Sequence, residues 1–389
     1  MTTKRAEYEF RYYNPSGDYV FSILNYHGAN FWVRERDVGS FYIDIPYIMS
    51  KEILSKIEID GIFEIYRTNE WGVKELIFNK RWFVRLWRDK IEENGVKFSR
   101  IRCVDCNNLV DRRIVYYLPQ SPQTIINNIP ADDAIKRLAR ENFGNLAVER
   151  RDWSDKIFIE EDFGLAHEIS LDAFQYRKLL PLMGNICDTV REEHDQYLTF
   201  NVYWSENINK YVFETKVDQL GTNRGVDSES PLHLTAILGE EGGEFGGLRY
   251  ASVELNAVES RTAVYAGGQG DKENRIIKEA FNQEEIDRIP FGLWESWQDA
   301  RMSGTPGGVQ AVADRRLQRW TPQIAVNGHI SSDFTKYLGS KINWGDRVVF
   351  RFRDHIYEVN ITSITINLAN NGSEIISLKT RNMREEYYG

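Results

Sequence analysis

Cysteine is scarce in this 389-residue chain, with only Cys103, Cys106 and Cys187. An odd set of three is not the disulfide framework that staples small secreted domains, and it points to synthesis in a reducing cytosol. Cys103-Val-Asp-Cys106 has the spacing of half a zinc site or of a redox motif. A structural zinc site needs four ligands, however, and a redox pair opens a helix. This pair follows a strand, so two small buried residues at a strand end are expected. Histidine is also sparse. None of His27, His167, His194, His233, His329 and His355 stands four residues from another, which excludes the helical His-Glu-x-x-His motif. No Gly-x-Ser-x-Gly elbow occurs. No run of eighteen apolar residues occurs, and the opening MTTKRAEYEFRYYN lacks an apolar signal core, so neither a membrane helix nor a secretory leader is expected. Basic excess is missing too. The net charge of −9 argues against general nucleic-acid binding, which needs clustered Lys and Arg. No metal and no cofactor are expected.

Aromatic residues are plentiful: 20 Tyr, 20 Phe and 10 Trp, which suit strands and large buried contacts. Short β-branched and aromatic runs at 19–24, 40–45, 62–66, 75–78 and 97–103 are separated by turn residues such as Asn14-Pro15, Gly39 and Asp60-Gly61. Spacing near ten residues predicts a small barrel or sandwich. Asp132 or Asp133 can cap a helix that Gly144 stops, with Ala134, Ile135, Leu138 and Ala139 on its apolar face. Leu179, Leu182, Met183, Ile186, Cys187 and Val190 predict a second helix, kinked at Pro181 or starting near it. A hairpin follows over 200–214. A third helix is expected over 309–318, and strands return at 323–326, 347–352, 357–363 and 375–379.

Four features invite a chemical reading. Gly267-Gly-Gln-Gly270 could cradle a phosphate, but Asp271 follows where a phosphate loop has Lys-Ser/Thr. A tight connection with close backbone approach is the simpler reading. The Gly239–Gly247 loop is acidic at Glu240, Glu241 and Glu244 and carries no phosphate signal. The pairs Asp132-Asp133, Glu160-Glu161 and Glu192-Glu193 fit solvated faces. Arg81-Trp-Phe-Val-Arg-Leu-Trp-Arg88 interleaves cations and aromatics. As a strand it sets Arg81, Phe83, Arg85 and Trp87 against Trp82, Val84, Leu86 and Arg88, a half-buried strand with cation–π partners.

Thr262-Ala-Val-Tyr-Ala-Gly-Gly-Gln-Gly270, then Asn274-Arg275, then Trp294-Glu-Ser-Trp-Gln-Asp-Ala-Arg301 resembles the signature of the siphovirus Gp37-like tail proteins. In that likeness Gly267, Gly268, Gln269, Gly270, Arg275, Asp299 and Arg301 form a structural motif. Gly345 and Asp346 form a Gly-Asp turn before a Val-rich closing strand. Asp105 to Val115 and Leu171 to Val202 agree as well, so the likeness runs from about residue 8 to 381.

The resemblance implies a mainly β fold with smaller α+β insertions and two tube-like β-barrel domains of a phage tail hub. The expected divisions are a first barrel over 1–120 and an α+β insertion over 121–197, with helices near 132–143 and 172–194. A hairpin of the second barrel follows over 198–235, then a second insertion with Gly-rich loops over 236–320, and closing strands over 321–389. The implied role is structural and non-enzymatic. A homotrimeric ring in the virion tail tip would continue the tail tube beside a distal tail protein ring. Its other neighbours would be tube or tape measure protein and tip fibre or plug proteins, and DNA would pass only in transit through its lumen during ejection. Some relatives extend into a C-terminal lytic or adhesin module, and none is expected here. A tail-tip cell-wall hydrolase needs converging acids or a Cys/His pair, and aromatic-rich β proteins are often carbohydrate-binding adhesins. These are the rival readings.

Overall fold

The computed structural model describes the chain except residues 1–5, 70, 92–94, 96, 118–125, 172–175, 195, 237–246, 257, 259, 271, 301–304, 320–322, 332–333, 353–354, 370–372 and 383–389. It begins with β1 (Glu7–Tyr13), β2 (Tyr19–Ile23), β3 (Gly28–Arg34), β4 (Ser40–Pro46) and α1 (Tyr47–Leu54). Next come β5 (Ile62–Thr68), β6 (Lys74–Ile91), β7 (Lys97–Asp105) and α2 (Asn108–Asp111). The middle holds β8 (Ile126–Pro130), α3 (Ala131–Phe143), β9 (Ile157–Ile159), β10 (Glu168–Leu171), α4 (Leu179–His194), β11 (Leu198–Ser205) and β12 (Lys210–Val217). After β13 (Asn223–Arg224), β14 (His233–Ala236) and β15 (Gly247–Asn256) come β16 (Ala263–Gly267), β17 (Ile277–Phe281), α5 (Gln283–Arg288), β18 (Glu295–Asp299) and α6 (Pro306–Arg319). The last strands are β19 (Gln323–Ile330), β20 (Arg347–Phe352), β21 (His355–Ala369) and β22 (Glu374–Asn382).

The chain forms two compact units, one of residues 1–190, 196–252 and 326–389, the other of residues 191–195 and 253–325. In the larger unit the N-terminal strands pair in the order β3-β4-β7-β6-β5-β1-β2. Their sequences alternate, and every second side chain is buried: Tyr8, Phe10 and Tyr12 on β1, Phe31 and Val33 on β3, Phe41, Ile43 and Ile45 on β4. The inward rings meet across the sheet. Phe10 stacks on Phe41 at 5.5 Å, and Phe41 meets Phe63 at 5.7 Å and Trp82 at 5.9 Å. β1 and β4 are not neighbours in the strand order, so this contact requires the sheet to curl around its aromatic core. Each such ring contributes roughly 1.5–3 kcal/mol of burial.

The expected pair of barrels is not met as two closed hydrogen-bonded walls. Among the described residues no pairing joins β2 to β3. The inward-facing rings of Tyr8 on β1 and Phe31 on β3 meet at 6.0 Å within the core. In the C-terminal half the pairings lead from β20 through β14, β15, β19, β22 and β21 back to β20. Among the described residues the β14–β15 link of this cycle pairs Thr235 with Gly247 and Ala236 with Leu248. Antiparallel pairing of β3 with β21, from Ser363↔Arg34 to Ala369↔Gly28, makes both halves one sheet.

A helical layer completes this unit. Ala134, Ile135, Leu138 and Ala139 of α3 and Leu179, Leu182, Met183, Ile186, Cys187 and Val190 of α4 are all buried with Phe200, Val202 and Phe213 of the hairpin β11–β12. Pro181 is the third residue of α4, where its missing N–H costs nothing. The hairpin pairs with β9 in a three-stranded sheet of its own. Pro130, not an acid, precedes α3. Asp132 and Asp133 lie in its first turn and accept backbone N–H groups from the loop at Phe163–Ala166 instead. Asp132 is therefore buried beside the equally buried Lys136, at 3.6 Å, and that pair of acids is no solvated face.

The smaller unit is a three-stranded sheet, β17-β16-β18, with β18 parallel to β16. Val264, Ala266 and Ala280 of the sheet pack with Ala300 and with Val309 and Ala313 of α6. The small side chains let helix and sheet approach closely.

Candidate functional site

The Gly-Gln-Gly turn closes β16. Gly267 lies against Trp297: a Cβ there would meet that ring at 2.3 Å and the Arg275 guanidinium carbon at 2.8 Å. Gly270 has φ +104, and a Cβ on it would fall 2.3 Å from the Asn274 carbonyl oxygen. The N–H of Gly268 donates to the Ile276 carbonyl at 2.7 Å, and the Ile276 N–H donates to the Gln269 carbonyl at 3.0 Å. These two bonds close the turn on itself. Gln269 is exposed.

Arg275 gathers the rest of the motif. It donates to the carbonyls of Gly268 and Gly267 at 3.3 and 3.2 Å and to Asp299 at 3.4 Å, and it stacks 5.0 Å above Trp297. Six of the seven residues singled out here are therefore one cluster. Arg301 lies outside the described residues. The arrangement has the form of a clamp on a turn and holds no nucleophile beside a base.

In the larger unit, Gly345 takes φ +86, and its carbonyl accepts the Gly221 N–H at 2.8 Å. The fully buried Asp346 carboxylate accepts N–H groups from Thr222 at 2.7 Å and Asn343 at 2.9 Å, with Arg224 at 3.8 Å. Burial raises its pKa from 3.8 to about 6 despite these donors. The Gly-Asp turn ties β13 to β20.

Sequence reasoning missed Lys80. Opposite Ile65 of β5, strand β6 inserts four residues, 77–80, between Leu76↔Tyr66 and Arg81↔Glu64. Phe78 and Asn79 take left-handed φ values of 57° and 51° there. This bulge turns Lys80 inward. Its ammonium is fully buried and donates to Asn107 at 3.1 Å, Asn201 at 2.6 Å and the Val202 carbonyl at 2.5 Å, with the buried Asp105 at 3.6 Å. Burial holds the Asp105 carboxyl above its usual range, against the pull of Lys80. Three of the four groups around Lys80 come from the hairpin and from the α2 turn, so the network pins these to the sheet.

Cys103 and Cys106 are buried free thiols at the end of β7. Cys106 donates to the Val202 carbonyl at 2.9 Å, and burial pushes its thiol up to about 11. Cys187 is pushed up to about 12 by the same cause. Such thiols are poor nucleophiles. Among the described residues no group of three or more His, Cys, Asp or Glu could hold a metal ion. In the cation–aromatic segment Arg81 pairs with Glu64 at 2.6 Å and lies 3.3 Å from the Trp204 ring centre, and Arg85 pairs with Asp60 at 2.7 Å. The predicted two faces hold only up to Val84. A register shift between Val84 and Leu86 breaks the alternation and brings Leu86 to the surface. Of the glycine-heavy loop, residues 237–246 lie outside the described residues.

No protein-family model matches the sequence, and no curated protein matches it. Solved structures do. A tail protein from Neisseria meningitidis superposes with a TM-score of 0.58 at 10% identity, over 97% of each chain. The fold is that of phage tail proteins. A 43 kDa tail protein of prophage MuSo2 from Shewanella oneidensis gives 0.56 at 11% identity, over 97% of this chain and 98% of its own. A prophage tail protein from Listeria monocytogenes gives 0.50 at 10%, over 96% and 94%. This tail-protein fold spans nearly the whole chain, including the inserted unit. At such identities the likeness is one of architecture.

Proposed function

We propose that the chain is a structural, non-enzymatic hub subunit of a phage-type tail tip, a relative of the Gp37-like tail proteins. It would form a homotrimeric ring that continues the tail tube, between a distal tail protein ring and tip fibre or plug proteins, with a lumen for DNA. The observation that carries this is the end-to-end match to a tail protein, 97% of both chains. Two further features support it. The chain holds two β assemblies side by side, the curled N-terminal sheet and the C-terminal cycle. Two similar barrel domains per subunit would give three copies six docking surfaces for a six-fold tube. The clustered residues Gly267, Gly268, Gln269, Gly270, Arg275 and Asp299, and the Gly345-Asp346 turn, serve as structural closures in this reading.

Native mass measurement of the full chain, alone and with the distal tail protein, tests it. The expected particle contains three times the 45.4 kDa chain mass, and electron microscopy shows a ring. A particle with one copy per tail ring, or turnover of peptidoglycan by the pure protein, refutes it.

A further inference from the structure

The outer face of β3, β4, β7 and β6 carries a recess of about 320 Å³ lined by Trp32, Tyr42, Leu86, Arg88, Arg100 and Arg102, among others. It exists because of the register shift at Val84/Leu86, after which Leu86 stands opposite Arg102 and Arg88 opposite Arg100. Arg100 is satisfied: it grips Asp44 through two hydrogen bonds of 2.7 Å and lies 4.1 Å from the Tyr42 ring centre. Arg88 and Arg102 are exposed and have no ion-pair partner among the described residues. Like charges directly opposite across a ladder are destabilising. Among the described residues one carboxylate, Asp44, thus stands against three guanidinium groups over an aromatic floor.

We propose that this recess is a contact between copies, taking acidic side chains of a second copy of this chain. The inference rests on the hub reading. The chain supplies the complement, with 58 Asp and Glu against 49 Lys and Arg. A ring needs each copy to set one face against a different face of the next, so a basic recess meeting an acidic surface closes it. Guanidinium forks bind carboxylates in bidentate pairs, and the aromatic floor lowers the competition from water. A nucleic acid is disfavoured as occupant, because two unpaired cations neutralise too few phosphates on a chain of −9.

Sedimentation velocity of the full chain at low and high salt tests the contact, comparing wild type with R88E/R102E and R88Q/R102Q. The wild type should self-associate, less so in high salt. R88E/R102E should raise the dissociation constant about ten-fold or more, and R88Q/R102Q by a smaller factor. Both side chains are exposed and R88E sets a carboxylate opposite Arg100, so thermal melting should not fall. Wild-type-like association of R88E/R102E overturns the site while leaving a three-copy hub standing. A wild type that stays monomeric at tens of micromolar also overturns it. So does loss of binding to a labelled single-stranded oligonucleotide with association intact, which assigns the recess to nucleic acid. The hub reading falls separately, by the stoichiometry of the particle formed with the distal tail protein.

Discussion

Lys80→Met removes the ammonium at the centre of the buried network and leaves its neighbours in place. Asn107 keeps one partner, because its Oδ1 also accepts the Val202 N–H at 2.9 Å. Asn201 Oδ1 loses Lys80 as its donor, and a newly unsatisfied buried acceptor costs about 1–3 kcal/mol, whereas the Val202 carbonyl still accepts the Cys106 thiol. Asp105, fully buried, loses its countercharge, and breaking a buried pair by removing one partner costs about 3–5 kcal/mol. These effects overlap, so about 4 kcal/mol is expected, a fall of about 8 °C in melting temperature for a unit of this size. Calorimetry and urea unfolding would measure it. Neutralising Asp105 offsets part of the loss, so K80M/D105N should melt above K80M. K80M alone should gain on the wild type as the pH falls, because Asp105 then takes up a proton. A melting temperature within about 2 °C of wild type, or a double variant no better than the single one, would refute this account of the network.

Asp346 gives a pH signature. Its carboxyl is raised from 3.8 to about 6, so its contribution is fully present below pH 3.8 and lost as the pH rises through about 6. Urea titrations at pH 4 and 7 should show about 3 kcal/mol of pH-dependent loss in the wild type that D346N lacks. D346N should also be weaker at pH 4, since an amide accepts at only one atom. Gly270→Ala forces a side chain onto φ +104 and against Asn274, and should cost the smaller unit about 1–3 kcal/mol, read as faster proteolysis within residues 253–325. Arg275→Gln should cost about 2 kcal/mol and shift Trp297 emission, because charged donors to Gly267 and Gly268 are lost. Asp299→Asn should cost under about 0.5 kcal/mol, since that carboxylate is 57% exposed.

Much of this was legible in sequence because the signal is periodic. Alternation in Phe41-Tyr-Ile-Asp-Ile45 marks one face of β4, and Leu179 to Val190 marks one stripe of α4. The gathering of Gly267 to Gly270 with Arg275 and Asp299 was legible only as an order of residues. What escaped is set by tertiary context. Nothing local announces that β6 bulges at 77–80, so Lys80 reads as one more surface cation. Asp132-Asp133 reads as a cap because the loop at Phe163–Ala166, thirty residues on, is invisible to a local pattern. Leu86 and Arg88 belong to the outer face only because β7 fixes the register beyond Val84.

The ladder between β21 and β3 joins residues more than 300 positions apart through seven consecutive pairs, from Ser363↔Arg34 to Ala369↔Gly28. Tension along these strands loads all seven in parallel, as in a sheared seam, whereas a hairpin pulled at its ends opens one rung at a time. The first and last thirds of the polypeptide are thereby stitched into a single mechanical element.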